Sequence, residues 1–402
     1  MTGPARDPHD LLGRNRAATL LVTLAIINLG YAAALIWLAY IARDARVLAS
    51  TGLPIPDFTA FWAAGRMALD GAPALAYDWQ AHRAVEVAGL GHEFSDWMPW
   101  HYPPPFHLLI TPFAALPHWG AMALWCGLTL GLYLWTCWRI LPDPLALVAA
   151  LAVAPTAMIL VNGQTGFLVG ALLGLALLEI DRRPLRAGLL LGLLGFKPHL
   201  VAAIPLPLIA TARWTTIAGG LAMLAALVAV SWAVLGGETW SAFIASTSET
   251  AKVFANTGAA EQRWEMGASL YGGLRHLGAG FEAAMVVHGV AALAVLVALV
   301  RAWRNPATTP DIKAALICYA TLAATPRVLS YDLHIVVIGA LFQCRHSLAH
   351  GFYRGEQALL AVAALGAFVA LLFSPGLNPV LALALFTGCW LGHARRGEAG
   401  GR

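Results

Sequence analysis

Apolar blocks of about 15 to 25 residues recur along almost the whole chain, and each can cross or nearly cross a hydrocarbon layer of roughly 30 Å. The first block covers residues 17–41, and Arg, Pro and Gly separate the later ones. Of the 402 residues, 59% are hydrophobic and only 11% are charged, and the mean hydropathy is +0.69. This composition excludes a water-soluble domain. The sequence therefore predicts an all-α polytopic helical membrane protein with about twelve transmembrane helices.

The distribution of positive charge predicts which loops face the cytoplasm, because cytoplasmic loops of membrane proteins carry an excess of Lys and Arg. Short Arg-containing loops lie near residues 139, 182–186, 213, 301–313, 345–354 and 395–396. Placing these loops inside leaves two long outer loops, 42–102 and 236–280, on the extracytoplasmic side. The predicted organisation is a cytoplasmic tail 1–16, one membrane domain 17–394 and a cytoplasmic tail 395–402, in the cell (inner) membrane.

One segment conflicts with this simple topology. Residues 103–117 are short for a transmembrane helix, and counting them as one reverses the sidedness of the next segments. We favour a half-helix that enters from the outer face, balanced by a block 187–212 that is two short helices broken at Lys197-Pro198. The alternative is that both segments are full spans.

The charge distribution and the cysteine content limit the kinds of partner and site that the sequence predicts. The net charge of +4 comes from basic residues spread among the loops, not gathered on one face, so a nucleic-acid partner is not predicted. The five cysteines lie in or beside apolar blocks without a CxxC pair, which is typical of buried apolar residues. Neither a disulfide framework nor a thiolate metal site is predicted.

The first outer loop contains a candidate catalytic acid. Apolar residues at 58, 61, 62 and 69 recur at helical spacing, which predicts a helix along the membrane surface with its aromatic side chains at headgroup level. Asp57 precedes that helix. It is either an N-cap or a carboxylate that serves as general base at the boundary of water and lipid.

Two further polar segments border apolar blocks. Tyr102 precedes three prolines, which predicts either a rigid turn or part of a binding pocket. Asn162 and Gln164 belong to the sequence Asn-Gly-Gln-Thr-Gly at 162–166, which turn chemistry alone explains unless the turn lines a site.

Lys197 lies inside an apolar block, where an unpaired ammonium costs several kcal/mol. It either reaches an interface or pairs with a phosphate or carboxylate, and His199 follows two residues later. The late segment 325–334 holds four polar candidates, namely Arg327, Tyr331, Asp332 and His334. Asp332 and Arg327 either pair with each other, or Arg327 or His334 contacts a phosphate or sugar.

Taken together, six short motifs resemble glycosyltransferase family 87 in order along nearly the whole chain. The motifs are Asp57-Phe58 with Phe61-Trp62, Gly71 with Tyr77-Asp78, Tyr102-Pro103-Pro104, Asn162-Gly163-Gln164, Lys197-Pro198, and Pro326 with Tyr331-Asp332. The family comprises polytopic enzymes of the GT-C architecture and includes polyprenyl-phosphomannose-dependent mannosyltransferases. The resemblance implies a GT-C fold, a lipid-linked sugar donor and an acidic catalytic base early in the first outer loop.

That resemblance assigns roles to particular residues. The base role falls on Asp57, and donor phosphate binding falls on Lys197, Arg327 and His334. The remaining polar candidates are predicted to line the substrate pocket: Tyr102, Asn162, Gln164, His199, Tyr331 and Asp332. GT-C enzymes often carry paired acidic residues in this loop, whereas here Phe58 follows Asp57, so a paired-carboxylate metal site is not predicted.

The predicted function is transfer of a sugar, with mannose favoured, from a polyprenyl-phosphate donor to an extracytoplasmic glycan or glycolipid acceptor. Inversion is expected, with neither a cofactor nor a divalent metal ion. The partners expected are therefore the polyprenyl-phosphate lipid, the acceptor and membrane lipids. The main alternative is a lipid-linked sugar transporter or flippase, because broken helices and intramembrane charges also mark substrate paths. A nonenzymatic assembly subunit is a further alternative.

Overall fold

A computed structural model describes residues 13–38, 55–94, 98–256, 267–373 and 378–394. Within these ranges the chain is helical apart from turns and one isolated antiparallel bridge between Gly267 and Leu329. This confirms the predicted all-α class. Most of the predicted N-terminal tail, the whole C-terminal tail and parts of both predicted outer loops lie outside the described residues.

The α-helices of the described residues are, in chain order, α1 (Gly13–Ile36), α2 (Phe58–Leu69), α3 (Trp79–Leu90), α4 (Pro104–Ile110), α5 (His118–Ile140), α6 (Pro144–Ala152), α7 (Ala154–Asn162), α8 (Gly166–Glu179), α9 (Pro184–Leu193), α10 (Pro198–Val201), α11 (Pro205–Ala210), α12 (Trp214–Leu235), α13 (Gly237–Asn256), α14 (Leu270–His276), α15 (Phe281–Arg304), α16 (Pro310–Ala324), α17 (His334–His350), α18 (Glu356–Phe373) and α19 (Asn378–Cys389). Shorter 3-10 turns cover Pro73–Tyr77, Thr111–Ala115, Leu194–Phe196 and Ser330–Leu333, and a π-helical turn covers Trp390–Ala394.

Four helices within the described ranges are long and apolar enough to cross a membrane, namely α1, α5, α12 and α15. The pair α6 and α7 forms a fifth candidate, bent by 66° at the break between them. Several other predicted crossings are shorter apolar helices, among them α8 and the segment 184–196. The chain is thus a helical membrane protein, and the count of about twelve crossings stays a prediction.

The bend between α6 and α7 follows from the sequence. Pro155 cannot continue α6, and Val153 before it is extended, so carbonyl groups at the end of α6 lose their helical partners. The fully buried amide of Asn28 on α1 donates to the carbonyl oxygens of Leu151 at 2.9 Å and of Val153 at 2.7 Å. A polar side chain on a neighbouring helix therefore supplies hydrogen bonds to the carbonyl groups that the break leaves without helical partners, as a bilayer interior requires.

The two segments of the topology conflict are both short and broken. Residues 103–117 form the seven-residue helix α4 and then a 3-10 turn, so the helix is only about 10 Å long. The block 187–212 breaks at Lys197-Pro198 into α9 with its 3-10 turn and then α10. The predicted break at Lys197-Pro198 is confirmed, whereas whether either segment crosses the membrane stays a prediction. Sidedness stays a prediction.

Helix α2 confirms the helical prediction for the segment after Asp57, and two of its aromatic side chains are buried in the protein. Phe58 and Phe61 are almost completely buried. The Phe61 ring lies 5.2 Å from the Phe106 ring and 6.3 Å from the Trp125 ring, between centroids. These two rings are buried because the apolar face of α2 packs into the protein against α4 and α5, and the level of the helix relative to the lipid headgroups stays a prediction.

Close helix packing fixes the segment that leads to Lys197. A Cβ atom on Gly188 of α9 would lie 2.1 Å from the Thr216 carbonyl oxygen on α12, and one on Gly192 would lie 2.6 Å from the Gly220 carbonyl oxygen. Only glycine permits this approach at both sites, which are four residues apart, as in small-residue helix contacts in membranes. Helix α9 is therefore held directly against α12 up to the break at Lys197.

Candidate active site

Asp57 stands at the start of α2 without acting as a conventional cap. Its backbone is already helical, with φ −58° and ψ −23°, and its side chain makes no capping hydrogen bond. Instead the Asp57 Oδ2 atom accepts a hydrogen bond of 2.5 Å from the Gln164 Nε2 atom, 107 residues away in the chain. The N-cap interpretation of Asp57 is therefore wrong, and the half-buried carboxylate faces the turn at 162–166.

The conformation of the turn at 162–166 is fixed by a glycine and by contacts with neighbouring residues. Gly163 has φ +68°, a left-handed conformation that glycine adopts without strain, and its carbonyl oxygen accepts from Trp125 Nε1 at 2.9 Å. A Cβ on Gly163 would lie 2.5 Å from the Phe58 Cβ atom, so the turn rests directly on the residue after Asp57. Asn162 instead donates back to the Met158 carbonyl oxygen of its own helix at 2.9 Å. Its predicted pocket role stays a prediction.

Gln164 connects Asp57 to Tyr102. The Gln164 Oε1 atom accepts from the Thr165 backbone N–H at 3.2 Å and from the Tyr102 hydroxyl at 3.4 Å. The Tyr102 ring packs 4.4 Å from the Phe106 ring, between centroids, and burial raises the pKa of its phenol. Tyr102 thus donates a hydrogen bond and stays neutral near pH 7.

Lys197 finds its anionic partner within the chain. Its Nζ atom lies 2.8 Å from Asp332 Oδ1, and both side chains are almost completely buried. Asp332 Oδ2 also accepts from the Leu329 backbone N–H at 3.1 Å, and the Tyr331 ring centroid lies 4.8 Å from Lys197 Nζ. Lys197 therefore has a carboxylate partner, one of the two predicted kinds, and Asp332 pairs with Lys197 where the sequence left pairing with Arg327 open.

These residues form one group, which we call the central polar cluster: Asp57, Tyr102, Gln164, Lys197, Tyr331 and Asp332. Asp57 lies within electrostatic range of Lys197 and Tyr331, and Tyr102 lies within range of Lys197 and Asp332. A Cβ on Gly166 would lie 2.4 Å from the Tyr331 carbonyl oxygen, so the turn at 162–166 contacts this side of the cluster too. Segments distant in the chain thus meet at that turn.

Three exposed basic side chains lie beside the cluster: His101, His199 and Arg327. Arg327 is within electrostatic range of both histidines, and His199 is within range of Asp332 and Lys197. The His199 carbonyl oxygen accepts from the Thr325 hydroxyl at 3.0 Å, which ties α10 to the end of α16. Sequence reasoning did not select His101, although its position directly before Tyr102 and Pro103 was the available signal.

His334 lies apart from this exposed margin. It is completely buried, its Nε2 atom is 3.0 Å from the Thr156 hydroxyl and its Nδ1 atom is 3.3 Å from the Tyr331 carbonyl oxygen. The Phe167 and Tyr133 rings pack edge-on against it, with centroids 4.9 Å and 5.1 Å away. This geometry favours a packing role, and donor phosphate binding by His334 stays a prediction.

The arrangement combines a half-exposed carboxylate with fixed positive charges. A carboxylate can take a proton from a hydroxyl, and ammonium and guanidinium groups stabilise an oxyanion that forms nearby. Among the described residues, no group of three or more His, Cys, Asp or Glu side chains is arranged to hold a metal ion. The described side chains thus offer a carboxylate that can take a proton, close to positively charged groups.

The comparisons with known proteins identify a family. The model of glycosyltransferase family 87 matches residues 100–326, which is more than half of the chain. The matched range includes Tyr102, Asn162, Gln164, Lys197 and His199, and it ends before Asp332 and begins after Asp57. Neither the curated proteins nor the solved structures gave a match.

Proposed function

The chain belongs to glycosyltransferase family 87 and is a glycosyltransferase, and we propose that it transfers a sugar, with mannose favoured, from a polyprenyl-phosphate donor to the hydroxyl of an extracytoplasmic glycan or glycolipid. A membrane-embedded transferase that works on the outer face has no nucleotide sugar available, so a lipid-linked donor meets its need. The positive-inside distribution of Arg predicts that the first loop, with Asp57, lies on that face.

The observation that carries the proposal is the contact between Asp57 and Gln164 inside a cluster that also holds the Lys197–Asp332 pair. It puts a half-exposed carboxylate within electrostatic range of a buried ammonium. A base for the acceptor and a cation for the leaving phosphate are the two groups that displacement at an anomeric carbon needs. Arg327, exposed beside the cluster, adds a second cation.

In the proposed reaction, the acceptor oxygen attacks the anomeric carbon of the donor sugar while its proton passes to Asp57. The bond between that carbon and the phosphate oxygen breaks, and its electron pair leaves with the polyprenyl phosphate. Lys197 and Arg327 stabilise the charge that grows on the leaving phosphate. A single displacement inverts the anomeric configuration. Neither a cofactor nor a divalent metal ion is required in this scheme.

The test measures transfer by Asp57→Asn and Asp57→Ala proteins reconstituted in nanodiscs. Radiolabelled polyprenyl-phosphate mannose is the donor, a membrane lipid extract is the acceptor, and the glucose-bearing donor runs in parallel. We expect loss of product with retained binding of polyprenyl phosphate. Asp70→Asn, at the other end of α2, is the matched control. Full activity of Asp57→Asn would overturn the role of Asp57, and lipid flipping without product would favour a transporter.

A further inference from the structure

Gln164 is the residue through which the turn at 162–166 reaches the proposed base. We propose that Gln164 is a positioning residue that fixes the side-chain orientation of Asp57 and keeps its carboxylate ionised for proton abstraction. This inference rests on the proposed function, because it assigns a role to Gln164 through Asp57. It replaces the direct substrate contact that the sequence suggested for Gln164.

The hydrogen bonds of Gln164 determine which way its amide points. An amide oxygen only accepts and an amide nitrogen only donates, so the partners decide the orientation. The Thr165 N–H is an obligatory donor at 3.2 Å and the Tyr102 hydroxyl donates at 3.4 Å, both to the Oε1 atom. The Nε2 atom is then directed at Asp57 Oδ2, 2.5 Å away. Reversing the amide would bring its oxygen against a carboxylate.

The backbone that carries Gln164 cannot easily move away from Asp57. On one side, Gly163 touches Phe58 so closely that any added Cβ would lie 2.5 Å from the Phe58 Cβ. On the other side, Gly166 rests against the Tyr331 carbonyl oxygen, and the Trp125 indole holds the Gly163 carbonyl. The turn is therefore packed against neighbouring residues on both sides, and Gln164 is only 5% exposed. Its amide is held in one position relative to Asp57, as the support of a reactive group requires.

A donor held on a carboxylate favours its charged form, which is the form that acts as a base. The other titratable groups within electrostatic range of Asp57 include Tyr102 and Tyr331, which are neutral near pH 7, and Lys197, which is paired with Asp332. Gln164 is the residue of the cluster whose amide donates directly to the Asp57 carboxylate, at 2.5 Å. Its loss should therefore affect both the geometry and the ionisation of Asp57.

The experiment measures kcat, KM for the donor and the pH profile of transfer, with radiolabelled polyprenyl-phosphate mannose and a membrane lipid extract. We expect Gln164→Ala to lower kcat by about 10- to 100-fold with KM nearly unchanged. The acid limb of the profile should move to higher pH. In Gln164→Glu the two carboxylates share a proton, so this limb should move further, by one pH unit or more. Gln164→Asn, one methylene shorter, should keep part of kcat.

Gln343→Ala is the matched control, because Gln343 also donates to a carboxylate, that of Glu356, at 2.7 Å but in a separate network. We expect it to lower thermal stability without moving the pH profile. The inference is overturned if Gln164→Ala keeps the wild-type kcat and profile, or if it resembles Gln343→Ala. If Gln164→Ala does not fold, the near-isosteric Gln164→Glu tests the same inference. A shifted acid limb supports the inference, and a wild-type kcat and pH profile overturn it. Activity of Asp57→Asn would instead reject the proposed function, so the two failures are distinguishable.

Discussion

Two carboxylates of this protein each accept a hydrogen bond from a glutamine amide, and their surroundings differ. Glu356 is completely buried and accepts four hydrogen bonds, from the side chains of Gln343, Ser347 and His393 and from the Tyr353 backbone N–H, at 2.7 to 3.0 Å. These bonds join α17, α18 and the turn at Trp390–Ala394. Asp57 is half-buried and lies within electrostatic range of Lys197, Tyr102 and Tyr331.

The comparison separates a structural acid from a reactive one. The oxygen atoms of Glu356 are surrounded by donors, so no substrate hydroxyl can reach them, and the group holds helices together. Asp57 is held by Gln164 but remains partly open to solvent, as proton abstraction requires. The same amide–carboxylate chemistry therefore supports packing in one region and, in our proposal, positioning in the other.

The largest expected effect comes from neutralising each acid in turn. Asp57→Asn should reduce transfer by about 10²- to 10⁴-fold with little change in stability, because a general base is lost at a half-exposed site. Glu356→Gln should lower stability by about 1–3 kcal/mol, because an amide nitrogen then meets a ring of donors, while the folded protein keeps its activity. Transfer assays and thermal unfolding of both proteins check this. If Asp57→Asn lost stability and Glu356→Gln lost transfer, the assignment of the two acids would be reversed.

The Lys197–Asp332 pair stands between these two types, since it is buried like Glu356 but belongs to the central polar cluster. Lys197→Met or Asp332→Leu alone leaves a buried charge unpaired and should cost about 3–5 kcal/mol of stability. The double variant Lys197→Met/Asp332→Leu should recover much of that stability, as measured by thermal unfolding, but not transfer. A double variant with wild-type transfer would exclude Lys197 from donor phosphate stabilisation.

Much of this fold could be predicted because apolar block length and proline position are local properties. The helix after Asp57 and the break at Lys197-Pro198 both follow from such signals. The burial of Phe58 and Phe61 could not, because a helix that packs on protein and one that lies on lipid have the same apolar spacing. The partner of Lys197 was predicted in kind, as an anion, but a contact across 135 residues has no local signal that identifies Asp332.

Glu86 on α3 provides a third buried carboxyl, one that lacks the donors of Glu356. It is completely buried, and neither oxygen has a hydrogen-bond partner among the described residues. The His82 Nδ1 atom lies 3.5 Å from Glu86 Oε1, and His107 on α4 lies within electrostatic range of His82. Burial raises the pKa of Glu86 to about 8, against an opposing effect of Arg83. Glu86, which lacks hydrogen-bond donors among the described residues, is thus kept neutral near pH 7, whereas the carboxylate of Glu356 is stabilised by its hydrogen bonds.

Stability should consequently depend on pH through Glu86. A carboxyl whose pKa is raised on folding contributes stability below its unfolded value of 4.5, and this contribution is lost as pH rises through about 8. Glu86→Gln should therefore unfold at a higher temperature than the wild type near pH 8 and at a similar temperature near pH 5. Thermal unfolding at both pH values measures this. An identical pH dependence in the two proteins would show that Glu86 does not titrate in the fold.

The smallest expected effect belongs to Asp70, at the opposite end of α2 from Asp57. Its carboxylate pairs with Arg66 at 2.6 Å, and both side chains are about half exposed, so solvent screens the pair. Asp70→Asn should change stability by less than about 0.5 kcal/mol, since an acid at a helix C-terminus also opposes the helix dipole. Transfer should stay within about twofold, which is within the usual variation for a surface change. If Asp70→Asn instead lost activity as Asp57→Asn does, transfer would depend on the integrity of α2 as a whole, and the contrast between a reactive carboxylate and a merely exposed one would fail.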